Sequence, residues 1–290
     1  MTKFDDLPQP HPPNVVLYHA ECMDGFGSAW ALWKRFPDAR YVAVKHGFPP
    51  PDGLQNQHVV MVDFSYPRAA ILQLAEHTAS LHILDHHITA QASLADLPFA
   101  YFDMNRSGAV LAWEWAHGQT VPWLLQYVQD KDLWQWHLPF SREISAALAS
   151  YPFDFETWER LQFETLKVEG AGILRYETTL VEKMVKEAVL VSLAGHTVPA
   201  VYSPVLTSQI GEHLSANYSF GIIWHQKDGR RYFSLRSKSG GISVSDIALQ
   251  YGGGGHTHAA GFSISVGEDS AAILNPVLGL PQPSSTSPHS

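Results

Sequence analysis

Asp85-His86-His87 sets a carboxylate beside two imidazoles at the end of the apolar run Leu81 to Leu84. Oxygen and nitrogen donors at that density suit a divalent cation, although two adjacent histidines alone also describe a solvated loop. The arrangement recurs earlier in the chain. His19 and Asp24 follow Val15-Val16-Leu17-Tyr18, and Asp63 follows Val59-Val60-Met61-Val62. Each apolar run reads as a buried strand, so each polar group falls where a strand leaves its sheet. Parallel strands put those ends on one edge, where open α/β sheets hold their ligands. Imidazoles and carboxylates at equivalent edges therefore converge on one crevice.

That convergence requires parallel strands, and the intervening segments supply the crossovers. Gly25 to Phe36 carries Phe26, Ala29, Trp30, Leu32 and Trp33 at helical spacing and stops at Pro37. Tyr41-Val42-Ala43-Val44 is another strand, leading into a Pro/Gly-rich loop, and Pro67 opens a helix through Ala69, Ile71, Leu72 and Ala75. The order strand, helix, strand, strand, helix, strand predicts an α/β fold with a mostly parallel sheet covered on both faces.

Farther on, Ser107 or Asn105 caps a helix running to about Ala116, and Trp123 to Val128 continues helically. In Gln129-Asp130-Lys131-Asp132 the carboxylates either add a metal ligand or cap the next turn. Residues 140 to 190 read as helical throughout, and their Trp and Phe stripe reads as core. From Val189 the pattern turns to short strands, with Asp228-Gly229 as a hairpin signal.

Gly252-Gly253-Gly254-Gly255-His256 then precedes Thr257-His258-Ala259-Ala260-Gly261-Phe262. A run of glycines is costly inside regular structure but lets backbone N–H groups approach an anion, and His256 adds a donor. A flexible linker would seldom abut the small, close-packing Ala259-Ala260-Gly261, so anion binding is the preferred reading. Arg236, with Lys238 nearby, offers a guanidinium for a second phosphate contact.

The 290 residues, 45% hydrophobic and 16% charged, fit one large or two moderate soluble domains. A net charge of −9 disfavours a global field for long nucleic acid but leaves room for small anions held by metal. The single cysteine excludes an internal disulfide framework and fits a reducing compartment. No apolar run approaches the roughly 18 residues of a membrane span, and the start lacks the form of a secretory signal, so a cytoplasmic location and no membrane partner are expected.

With His19 to Ser28, Asp63, Asp85-His86-His87, Ser107-Gly108-Ala109, Asp130 and Gly252 to Phe262 located in this order, the chain resembles the DHH phosphoesterase superfamily, in members whose DHH domain is followed by a DHHA1 domain. The resemblance implies a parallel α/β domain bearing metal, a helical connector and a smaller α/β domain that closes over substrate. It implies two Mn²⁺ ions bridged by Asp63, with Asp24, His86 and Asp130 completing one site and His19 serving the other. Asp85 and His87 would orient ligands or meet the phosphate. Ser107, Arg236, Gly253, Gly254, Gly255 and His256 would contact substrate. The implied reaction is hydrolysis of phosphodiester or phosphomonoester bonds by metal-activated water, two ions roughly 3.5–4 Å apart sharing the charge of the reacting phosphoryl group.

One departure matters. Many relatives carry His-x-x-x-Asp-x-Asp, whereas His19 here is followed by Ala20-Glu21-Cys22-Met23-Asp24, one residue shorter and without the first aspartate. Cys22, Glu21 or a water could stand in, or the ion at His19 is held weakly; Cys22 itself reads rather as a small packing residue. The expected substrate is a small nucleotide or short single-stranded nucleic acid. A nucleotide- or metal-binding module without turnover, or a pyrophosphatase or polyphosphatase, are the alternatives. No protein partner is expected, and a homodimer stays open. The expected organisation is a flexible arm (1–13), a metal-binding DHH domain (14–150), a helical connector (151–188), a DHHA1 domain (189–268) and a flexible tail (269–290).

Overall fold

The computed structural model of the chain describes residues 11–118 and 120–266. The expected tail and residues 1–10 of the expected arm lie outside them. Two compact units divide between Arg175 and Tyr176.

The first unit is built on five strands, β1 (Val15–His19), β2 (Arg40–Val44), β3 (His58–Val62), β4 (Ser80–Asp85) and β5 (Ala100–Phe102), in the order β2-β1-β3-β4-β5. All neighbours are parallel. Alternation along the strands separates two apolar layers. Val16, Val60, Val62 and Leu84 face a core shared with α1 (Met23–Trp33), α4 (Gly108–His117) and α5 (Trp123–Asp132). Val15, Leu17, Val59, Met61 and Ile83 face the opposite layer, closed by Ile71 of α2 (Arg68–His77) and Leu94 of α3 (Ile88–Leu94). Burial on both sides is why these strands read as continuous apolar runs. Chain order reverses between β1 and β3, which is the switch point where such sheets open a crevice at their carboxyl ends.

Residues 140–190 are not helical throughout. They form α6 (Ser141–Leu148), α7 (Phe155–Glu159) and α8 (Phe163–Met184), before strand structure resumes at Val189. Pro152 disfavours helical backbone at Tyr151, and Asp154 restarts the chain as an N-cap, its carboxylate accepting from Thr157 N–H (2.8 Å) and the Thr157 hydroxyl (2.7 Å). Asp154→Ala is expected to cost about 1 kcal/mol, measured as a lower midpoint in urea unfolding. The stripe is core in part: Trp158 and Leu166 are buried with Phe26 in the first unit, Phe155 and Phe163 pack against that core half-buried, and Phe153 is exposed.

The second unit holds a six-stranded sheet, β10-β11-β9-β8-β7-β6. Its strands are β6 (Val189–Leu193), β7 (His196–Tyr202), β8 (Gly221–Lys227), β9 (Arg230–Arg236), β10 (Gly254–His256) and β11 (Ala259–Ser265). Pairing is antiparallel except for β7 with β8, which α9 (Thr207–Ser215) connects. Asp228 and Gly229, both at positive φ, close the β8–β9 hairpin. The glycine run differs from a bare loop. Gly254 to His256 pairs with Gly261 to Ala259 as an edge hairpin following α10 (Val244–Leu249), and Gly255 takes φ +137 where a Cβ would meet the Ala259 carbonyl at 2.6 Å. Close strand pairing accounts for that glycine.

Candidate metal centre

Strand ends of the first unit bring together His19 after β1, Asp63 after β3 and Asp85-His86-His87 after β4, joined by Asp24 from the first turn of α1. Asp24, Asp63, Asp85 and His86 are each at most 1% exposed. Burying so many carboxylates is tolerable only if each is met by donors or cations.

Asp24 is held by a helix N-terminus. Gly108 N–H and Ala109 N–H, opening α4, donate to its two oxygens at 2.6 and 3.0 Å. Ser107 is fully buried, caps the same helix through Val110 N–H and hydrogen-bonds Asp24. Its hydroxyl, expected to contact substrate, is here engaged within the protein as the cap of α4 and beside the Asp24 carboxylate. Gly108 is required sterically, since a Cβ there would meet Asp63 Cβ at 2.5 Å and Asp24 Oδ2 at 2.9 Å. Gly108→Ala is expected to lose about 1–3 kcal/mol of stability by overpacking and to weaken divalent-ion binding measured by calorimetry.

Asp85 accepts four bonds, from the Ser65 hydroxyl (2.6 Å), His86 N–H (2.7 Å), His87 N–H (3.3 Å) and His87 Nδ1 (2.7 Å). A carboxylate so saturated positions its neighbours. Burial alone would lower the His87 pKa, but the adjacent Asp85 outweighs it and raises it to about 9.

Asp63 stands at the middle, in left-handed backbone at φ +52, a strained state for a residue other than glycine. Its Oδ1 is 3.0 Å from His86 Nε2 and its Oδ2 3.5 Å from His19 Nδ1. Burial favours its neutral form, yet the nearby rings of His19 and His86 and the charges of His86 and His87 prevail and hold it well below the usual carboxylate range. Asp24 goes the other way: burial, then the charges of Asp132 and Asp63, push it well up.

Asp130 is not brought to this cluster, which corrects its assignment as a metal ligand. Its oxygens accept from His137 N–H (2.9 Å) and Leu138 N–H (3.2 Å), fixing the turn after α5. Asp132 instead approaches the cluster, with Oδ2 3.6 Å from His86 Nε2. Sequence reasoning also passed over His46, whose ring lies 5.6 Å from that of His19 and 4.4 Å from Phe64, and Ser65. A polar residue just past β2, at the same edge as the others, was the available signal for His46.

The donors fit a divalent metal. Ligating atoms within 4.8 Å of one another occur in Asp24, Asp63 and His86, in Asp63, Asp85 and His87, and in His19, Cys22 and Asp63. Asp63 Oδ2 and Asp132 Oδ2 are buried without a hydrogen-bond partner, as expected of oxygens shaped for a cation. Glu21, the other candidate for the missing aspartate, pairs instead with Lys45 (2.5 Å) on the surface.

In the second unit Arg236 lies at the end of β9, its Nε and one terminal nitrogen 3.4 and 3.3 Å from the Ser208 hydroxyl and the other donating to the Leu235 carbonyl. Burial lowers its pKa to about 10, which still leaves it charged at neutral pH. Among the described residues no carboxylate pairs with it. Gly253 precedes the edge hairpin, which contains Gly254, Gly255 and His256.

Comparison with known proteins agrees with this architecture. Residues 196–278 match the DHHA1 domain family. Uncharacterized protein R106 of Acanthamoeba polyphaga mimivirus is 32% identical over 286 residues, spanning 87% of this chain and 68% of that protein. A solved structure described as the DHH domain of a member of a family of ribosomal proteins aligns over 89% of this chain and 83% of its own, with a TM-score of 0.54 at 14% identity, a likeness of fold.

Proposed function

Because the chain belongs to the DHH phosphoesterase superfamily, in the branch joining a DHH domain to a DHHA1 domain, we propose that it hydrolyses phosphodiester or phosphomonoester bonds of small nucleotides or short oligonucleotides. The observation that carries this reading is Asp63, which shares one donor group with Asp24 and His86 and another with His19 and Cys22, and this supports its serving two ions. Two divalent ions there, Mn²⁺ being expected for mixed imidazole and carboxylate donors, would polarise the phosphoryl group and lower the pKa of an attacking water. No protein nucleophile is then needed.

The chain's own residues do the rest. Asp24, fixed by the α4 N–H groups, and His86, fixed against Asp63, supply preorganised donors. His87, kept protonated by Asp85, offers a positive donor to a phosphoryl oxygen. In the DHHA1 unit, the buried guanidinium of Arg236 and the glycine hairpin with His256 are the anion-binding groups we assign. The net charge of −9 favours small substrates over long strands. A cytoplasmic location is proposed from the single cysteine, which fits a reducing compartment. Among the described residues no helix is long and apolar enough to cross a membrane.

The test is a Mn²⁺-supported hydrolysis panel of a short oligoribonucleotide, a linear dinucleotide, a bisphosphorylated nucleoside and pyrophosphate. Turnover of at least one of the first three is expected, with pyrophosphate left intact. Cleavage of pyrophosphate alone would move the protein to the pyrophosphatase class, and nucleotide binding without any turnover would make it a binding module. On the substrate that turns over, Arg236→Gln is expected to raise KM about tenfold, the loss of one charge-assisted hydrogen bond.

A further inference from the structure

The shortened loop after β1 determines what Cys22 can do. Glu21 adopts left-handed backbone, φ +55, and Cys22 then becomes the N-cap of α1 in extended conformation. Serine, threonine, aspartate or asparagine would normally cap there, but the Cys22 side chain makes no capping hydrogen bond. Nor does it read as a core residue, since it is only partly buried while its neighbour Met23 fills the core. Its sulfur instead lies within 4.8 Å of a ring nitrogen of His19 and a carboxylate oxygen of Asp63.

A second observation points the same way. Asp63 Oδ2, on a residue 1% exposed, has no hydrogen-bond partner, and the nearest paired group is His19 Nδ1 at 3.5 Å. A buried oxygen with unused lone pairs, an imidazole nitrogen and a sulfur around one small space form a three-donor set for a metal.

We propose that Cys22 Sγ is a ligand in the half of the centre built from His19 and Asp63, so that this half takes a thiophilic divalent ion of the zinc or iron(II) class while the Asp24–His86 half takes Mn²⁺. The inference rests on the metal-centre reading above and adds the identity of one ligand and its ion. Thiolate selects zinc and iron over manganese, and imidazole tolerates all of them. Coordination replaces the S–H bond by a sulfur–metal bond, and the proton leaves to solvent. Unligated, the thiol is a poor nucleophile, because desolvation and the charges of Asp63, Asp132 and Asp24 raise its pKa well above the usual value.

The test titrates the full-length, metal-stripped protein with Co²⁺ and follows its absorption. Because the chain has one cysteine, any thiolate-to-cobalt charge-transfer band in the near ultraviolet reports Cys22. The expected result is such a band saturating at one Co²⁺ per chain, displaced by Zn²⁺ but not by Mn²⁺, and absent from Cys22→Ser, whose Zn²⁺ affinity falls at least about tenfold. Cobalt bound with visible ligand-field bands but no charge-transfer band, a band that survives Cys22→Ser, or no cobalt binding at all would each overturn the assignment. A band accompanied by no turnover on any phosphoester would leave the ligand assignment standing and sink the catalytic reading alone.

Discussion

Asp63→Ala is expected to lower phosphoester turnover by about 10²–10³-fold, the range seen when one preorganised group that stabilises developing charge is removed, and to reduce bound divalent ions from two per chain to at most one. The size of the effect follows from sharing. Asp24, His86, His19, Cys22, Asp85 and His87 each have Asp63 as a neighbour in a donor group, so its loss weakens both halves of the centre together. The backbone at φ +52 supplies a control. Alanine remains strained there, whereas asparagine tolerates left-handed backbone and nearly matches aspartate in shape. Asp63→Asn should therefore keep the fold and show the same loss, separating charge from folding. Calorimetric titrations with Mn²⁺ and with Zn²⁺, and turnover on the same preparations, check it. Activity within a few-fold of wild type in Asp63→Asn would rule out the bridging role.

His19, Asp24, Asp63 and Asp85-His86-His87 were legible because each stands at or just past the end of a strand whose apolar run announces it, and β2-β1-β3-β4-β5 is parallel. The unread parts depend on distances the chain order does not encode. β5 has three residues and α3 seven, too short for a periodic signal. The glycine run owes its hairpin to Ala259, Ala260 and Gly261, whose pairing is a matter of register rather than composition. Ser107 presents the same ambiguity as any serine before a helix: substrate and N-cap roles need the same residue, and what the fold shows is the N-cap one, with the side chain buried. Cys22 reads as packing until the left-handed Glu21 turns it toward His19 and Asp63.

The choice between Asp130 and Asp132 is the sharpest case, because residues two apart on a helix differ by about 200° in direction. Asp130 lies in the last turn of α5 and Asp132 ends it, and only the phase of the helix against the sheet assigns one carboxylate to the turn and the other to His86. Their substitutions are expected to have opposite consequences. Asp130→Ala strips His137 N–H and Leu138 N–H of their acceptor and should cost about 1–3 kcal/mol of folding stability, with divalent-ion affinity unchanged. Asp132→Asn should weaken Mn²⁺ binding about 10–100-fold and leave folding intact. Its stability effect is itself informative. Beyond burial, the Asp132 charge raises the Asp24 pKa, so the ionised form of Asp24 is disfavoured in the folded state. Removing that charge relieves the repulsion but also forfeits its attraction for His86, so in EDTA Asp132→Asn should unfold at a Tm close to that of wild type, while Asp130→Ala unfolds below it. A Tm falling in Asp132→Asn while Mn²⁺ affinity holds would return Asp132 to a structural role and leave His86 to be met by Asp24 and Asp63 alone.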